Sequence, residues 1–234
     1  MSHGSALPVR HLADVWLADL VTGGSCPLCG ARRRAGIRYL DGWLRESVND
    51  VTLRGELDRA RGLCGPHTGA ILEAERRECG SRLASAILLG AVLRIRRAEL
   101  AALREAKGRG RGKALSAAAR PPACMVCRAE DEGERTALVS LGGYLRDPAW
   151  AAALGAAAFC LDHVLRLADT AGGEPAWSGI EARQAERIER IAAGLHGFGM
   201  NAAFDRRHLL TDEETASIPE AARLLGAPPE GRAG

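Results

Sequence analysis

The chain has 234 residues, 47% of them apolar and 26% charged, with a formal net charge of +3. That length holds one large core or two small ones, and the ordinary apolar fraction excludes a wholly disordered or fibrous chain. Aromatic residues make up only 4%, so any core must be built from leucine and alanine, and the mild charge neither demands nor excludes a polyanionic partner.

Arg10, Asp14 and Asp19 interrupt the start of the chain, so no secretory signal is expected there. The longest uncharged apolar runs, 83–93 and 149–161, are too short to span a bilayer. Seven cysteines in a chain read without a leader point to a reducing, cytoplasmic setting and to metal thiolates rather than disulfides.

Residues 1–8 read as a loose start. Leu12, Val15, Trp16 and Leu20 then predict a short amphipathic helix over 9–21. After Cys29, the spacing of Ile37, Leu40, Leu44 and Val48 predicts a helix of about five turns. Asn49-Asp50 reads as a cap for a second helix through Leu53, Leu57 and Ala60. A helix follows His67, a break at Gly80-Ser81 interrupts it, and a long helix then runs to Lys107. Residues 108–123, rich in Gly, Arg, Ala and Pro, read as a linker between a first module (1–107, including the leader helix) and a second (124–226).

The second module follows the plan of the first. Leu138, Leu141 and Leu145 mark its outgoing helix, and Asp147-Pro148 is a cap carboxylate before a proline suited to the first helical position. An exit helix runs from His163 to about Asp169, with a loop over 170–179 and a helix through Ile180, Ile188, Ile191 and Leu195. Thr211–Glu214 and Ser217–Glu220 each fit a capping box, and the last helix should stop at Gly226, leaving a disordered tail over 227–234. No alternating pattern marks a strand. The expected fold is all-α, with two pseudo-symmetric helical modules.

The chemistry lies in a doubled motif. Cys26-Pro27-Leu28-Cys29 is answered by Cys64-Gly65-Pro66-His67, and Cys124-Met125-Val126-Cys127 by Cys160-Leu161-Asp162-His163. The CxxC pairs begin 98 residues apart and the CxxH pairs 96 apart. Short-spaced Cys and His pairs are how tetrahedral zinc ligands arrive, so these eight residues predict two metal sites of three cysteines and one histidine each. Folding each hairpin back on itself would join the ligands within a module; spacing alone also admits pairing across modules. Four protein ligands leave no open position, which favours structural zinc over catalytic metal, and an iron–sulfur cluster is the lesser expectation. Pro66 suits the first turn of a helix, which would place the Cys64 thiolate near a positive helix end. Arg32, Arg33, Arg61 and Arg128 stand near enough in sequence to offset the negative charge of such a site.

The remaining candidates read as structural. Cys79 has no counterpart in the second copy and reads as a buried or half-buried thiol, a redox role being the lesser alternative; His3, His11, His196 and His208 are isolated. Glu130, Asp131, Glu132 and Glu134 read as a solvated acidic face, and Asp162 as a helix-cap carboxylate. The basic segments Arg94/Arg96/Arg97 and Arg109/Arg111/Lys113 lack interleaved aromatics, so nucleic acid is a weaker expectation than a protein partner.

Cys-Pro-Leu-Cys at 26–29, Tyr39-Leu40-Asp41, Glu46-Ser47-Val48-Asn49-Asp50 and Gly62-Leu63-Cys64-Gly65-Pro66-His67 together resemble a family of prokaryotic proteins catalogued as a domain of unknown function. That resemblance implies duplicated CxxC…CxxH modules with a closing helical segment, and brings no activity with it. The second copy departs from the pattern where Ala137 answers Tyr39 and Met125 answers Pro27. The functional expectation is a non-enzymatic zinc-binding scaffold or adaptor for another macromolecule. The alternatives are a redox- or metal-responsive regulator and a metalloenzyme or iron–sulfur protein with an open site.

Overall fold

The computed structural model describes residues 7–9, 11–46, 48–78, 82–119, 121–202 and 206–227. Cys79, the break at Gly80-Ser81, His3 and the tail from 228 onward lie outside the described residues. The described residues are all-α. The helices are α1 (Leu12–Thr22), α2 (Pro27–Glu46), α3 (Val51–Ala60), α4 (Gly65–Glu78), α5 (Leu83–Glu105), α6 (Gly108–Ala118), α7 (Met125–Tyr144), α8 (Pro148–Ala156), α9 (Leu161–Ala171), α10 (Trp177–Asn201) and α11 (Asp212–Leu224). A 3₁₀ turn at Arg207–Leu209 precedes the last of them. No helix among the described residues is long and apolar enough to cross a membrane.

The chain divides into two compact units that do not coincide with the two consecutive modules. One takes its residues from 1–32 and 133–233, the other from 33–132. The first therefore joins the start of the chain to its end, and the second is the middle.

In the unit of 1–32 and 133–233, Leu17, Leu28, Leu141, Trp150, Leu154, Phe159, Leu167 and Ile180 form a continuous core. Asp147 starts α8 as expected, its carboxylate accepting from the Ala149 and Trp150 amides at 2.9 and 3.3 Å. Trp150 stacks on Tyr144 with ring centroids 4.4 Å apart, and its Nε1 donates to the Pro8 carbonyl at 3.0 Å. The Tyr144 hydroxyl donates to Asp14, whose other oxygen accepts from the His11 amide at the start of α1. Glycine lets α11 lie close on α10: a Cβ on Gly194 would stand 2.4 Å from Ser217 Oγ. The Thr211/Glu214 capping box starts α11. Ser217 starts nothing; it and Pro219 lie inside that helix. The loop expected over 170–179 is shorter than foreseen, since α9 reaches Ala171 and α10 begins at Trp177.

In the unit of 33–132, Leu40, Trp43, Leu57, Ile71, Leu88, Met125 and Val126 pack together. Asp50 caps α3, accepting from the Leu53 amide at 2.8 Å. The segment 108–123, read as a linker, carries helix α6. Its last carbonyls explain why it holds despite three glycines. Arg61 Nη2 and Arg96 Nη2 donate to the Ala118 carbonyl at 2.8 and 3.3 Å, placing two cations at the negative helix end.

Buried Glu75 on α4 caps the next helix, its two oxygens accepting from the Ala84 and Ser85 amides at 2.8 and 3.0 Å. Burial pushes the Glu75 carboxyl up, but the donors of Ser85 and Ala84 outweigh it and hold it below the usual carboxylate range. A carboxyl depressed in the fold stabilises above its unfolded pKa, and that stability is lost as pH falls through the depressed value. Glu75→Ala should therefore cost about 2 kcal/mol at neutral pH. The gap from the parent should close on acidification, as read by denaturant midpoints. Equal midpoints at neutral pH would contradict the assignment.

Candidate metal centre

All eight sequence-predicted ligands come together, in crossed pairs. One cluster is Cys26, Cys29, Cys160 and His163; the other is Cys64, His67, Cys124 and Cys127. Each CxxC of one motif copy thus joins the CxxH of the other copy, and the expectation that each hairpin closes on its own quartet is corrected. The physical reason is the division of the chain: the first cluster lies wholly in the unit of 1–32 and 133–233, and the second wholly in 33–132.

Every ligand pair spans a helix start. Cys26, Cys64, Cys124 and Cys160 immediately precede or cap the N-termini of α2, α4, α7 and α9, and their partners lie three residues on. Positions three apart face the same side of the first turn, so both donor atoms of a pair point one way. Each cage meets the positive ends of two helices, which stabilise thiolate. Backbone order comes from the first turn itself, with the Gly30, Thr68, Arg128 and Val164 amides donating to the leading cysteine carbonyls at 2.8–3.2 Å.

The two cages have matching dimensions. His163 Nδ1 lies 3.3, 3.3 and 3.0 Å from the sulfurs of Cys26, Cys29 and Cys160. His67 Nδ1 lies 3.1, 3.3 and 3.3 Å from those of Cys64, Cys124 and Cys127. Cys29 and Cys160 sulfurs are 3.7 Å apart, as are those of Cys64 and Cys127. A tetrahedral zinc ion with ordinary bond lengths sets edges of about 3.8 Å between sulfurs and about 3.5 Å between sulfur and nitrogen. The 3.7 Å sulfur–sulfur edge of each cage matches, and the sulfur–nitrogen edges are a few tenths of an ångström short. All four donor atoms of each cluster lie within 4.8 Å of one another, so each could hold a metal ion.

Behind each histidine stands a glutamate from α7. His67 Nε2 is 3.1 Å from Glu130 Oε1, and His163 Nε2 is 3.1 Å from Glu134 Oε1. Such a carboxylate fixes the ring orientation and raises ligand basicity. Two members of the run read as a solvated acidic face are therefore parts of the cages, and Glu134 is only 2% exposed. Helical periodicity held the missed signal: Cys127, Glu130 and Glu134 fall on one helix face. Glu134 also pairs with Arg32 at 3.0 Å and with Arg166. Gly36 leaves room for Glu130; a Cβ there would lie 2.7 Å from Glu130 Oε1. Arg61 pairs with Glu99 and Arg128 with Glu56, so both engage carboxylates.

Proton affinities in the cages show why a cation suits them. In the first, hydrogen bonds from Cys160 and Cys29 pull the Cys26 thiol down to about 3, while the same network pushes Cys29 far above the thiol range. In the second, burial raises Cys124, but donors from Cys64, Cys127 and His67 outweigh it and bring it down to about 7. Burial and the Cys64 hydrogen bond push Cys127 up to about 12. A protein-only cage settles on one favoured thiolate and resists the next; a divalent cation makes three compatible. Metal uptake must then release protons and weaken as pH falls.

Glu134→Gln should weaken metal binding at the first cage by about 10- to 100-fold, because the amide cannot supply the charge that orients and polarises His163. Competition with a chromophoric chelator reads this directly, and an unchanged affinity would contradict it. The two cages differ in access: in the first only Cys29 is half-buried and the other three ligands are buried, whereas in the second only Cys124 is buried and Cys64, His67 and Cys127 are half-buried. Compared with protein-family models, curated proteins and solved structures, the chain matches none.

Proposed function

We propose that each cage binds one Zn²⁺ as a closed structural site, and that the chain is a metal-clamped, non-enzymatic helical scaffold for another macromolecule. The observation that carries this reading is the complete tetrahedral donor set, three sulfurs and one imidazole at near-zinc edge lengths, in both clusters. Four protein donors leave no position for substrate or activated water. The matched spacing of the motif copies supports a duplicated origin. Elemental analysis with a visible spectrum tests it: two zinc ions per chain and a colourless protein are expected, while iron, sulfide and a brown colour would overturn it.

The half-buried cage favours a second reading, a redox-responsive regulator. Peroxide would take two electrons from the Cys64 and Cys127 thiolates, 3.7 Å apart, forming the S–S bond and, with two protons, leaving as two waters. That cage would then release its zinc. Full zinc retention after mild peroxide treatment would remove this reading.

A further inference from the structure

The densest positive charge in the chain falls in a stretch that carries no cage ligand. Residues 94–113, the second half of α5 and the start of α6, hold eight Arg and Lys against two Glu, a net +6 in a chain whose total is +3. Glu99 is already held by Arg61 and Arg96. Arg94, Arg97, Arg104, Lys107, Arg109 and Lys113 have no ion-pair partner among the described residues, and all six are exposed. No residue of α6 is buried, so its cations serve no core.

Where α5 and α6 pack together, Arg97, Leu100, Ala101, Leu103, Arg104 and Arg111 line a cleft of about 610 Å³. Arg111 is held in place there by donating to the Leu103 carbonyl at 3.1 Å. The glycines of α6 are not explained by packing. A Cβ at Gly110 or Gly112 would meet nothing within 4 Å, although glycine is the costliest ordinary residue in a helix interior. Bare backbone beside arginines permits close approach by a ligand chain.

We propose that the α5–α6 hairpin binds the phosphodiester backbone of nucleic acid, without reading base sequence. This rests on the scaffold reading and names the class of its partner. Six of the eight cations are arginines, whose planar fork pairs bidentately with phosphate. No aromatic side chain lies in 94–113 to stack a base, so contact is to the backbone and sequence-independent. A lipid surface fits less well, because from Leu93 onward the hairpin exposes only Leu93, Leu100 and Leu115 as large apolar residues beside its eight cations, little apolar area to insert.

Fluorescence anisotropy with the full metal-loaded chain tests this, using labelled 20-nucleotide DNA and RNA, single-stranded and duplex, of two unrelated sequences. Binding equal across sequences is expected, weakening by about a thousandfold between 50 and 200 mM salt if some six phosphates are contacted. The DNA and RNA arms identify which nucleic acid is preferred. Arg97→Ala/Arg104→Ala/Arg111→Ala should lose about a hundredfold or more at 100 mM salt. The control Arg59→Ala/Arg206→Ala/Arg207→Ala should bind like the parent. Circular dichroism and zinc content on the same samples separate loss of the surface from loss of the fold, and so from failure of the scaffold reading. No binding by the folded chain, equal binding by the α5–α6 variant, or binding only to phosphatidylserine vesicles or polyglutamate would overturn the proposal.

Discussion

Chelation should abolish the cooperative unfolding transition of the metal-loaded chain, and should do so in two steps. Structural zinc sites of this kind contribute about 10–16 kcal/mol of binding free energy at neutral pH, whereas a whole domain is stable by only about 5–15 kcal/mol. Neither core can absorb that loss. The ligand pairs sit on the first turns of α2 and α9 in one cage and of α4 and α7 in the other, so losing each ion frees two helix starts and leaves crowded sulfurs in conflict over protons. The cage of Cys64, His67, Cys124 and Cys127, with three half-buried ligands against one in the other cage, should empty first, and the unit of 33–132 should lose its helix signal before the other. Metal release and circular dichroism followed together after adding a strong chelator read both steps. A melting curve unchanged after confirmed metal removal would show that the cages are incidental to the fold.

The second large effect is expected in the apolar core of the unit of 1–32 and 133–233. Trp150 is 2% exposed and its ring holds Tyr144, whose hydroxyl reaches Asp14 at the start of α1. Trp150→Ala removes the ring and opens a cavity among Leu141, Leu154 and their neighbours, at about 3–5 kcal/mol. Trp150→Phe keeps a stacking partner for Tyr144 but loses the Nε1 donor to the Pro8 carbonyl, and should cost about half as much or less. Denaturant unfolding of the three proteins should give that order. Equal loss for Phe and Ala would place the stability in the Pro8 hydrogen bond rather than in the buried ring.

What the sequence made legible is local, and what it hid is long-range. CxxC and CxxH announce themselves because ligands three apart share one side of a helix's first turn, a relation contained in four residues. Asp50, Asp147 and Thr211 were readable as caps for the same reason. The pairing of Cys26 with His163 rather than with His67 was not readable, since any CxxC start can complete any CxxH start. The choice is made by packing: Leu17 and Leu28 join a core with Phe159 and Leu167, while Leu40 and Leu57 join Ile71 and Val126. Glu130 and Glu134 were hidden by composition, because a run of four acids within five residues resembles a solvated face until the helix register is set against Cys127. Helix α6 was hidden by its glycines; the guanidinium groups of Arg61 and Arg96 that hold its last turn come from residues distant in sequence.

Metal stoichiometry in two double variants tests the crossed pairing most directly. Cys26→Ser/Cys160→Ser breaks one cage only and should retain one zinc ion per chain by elemental analysis. Cys26→Ser/Cys64→Ser breaks both and should retain none. The reverse result, one ion in the Cys26/Cys64 variant and none in the Cys26/Cys160 variant, would mean that each motif copy closes on itself and would contradict the account.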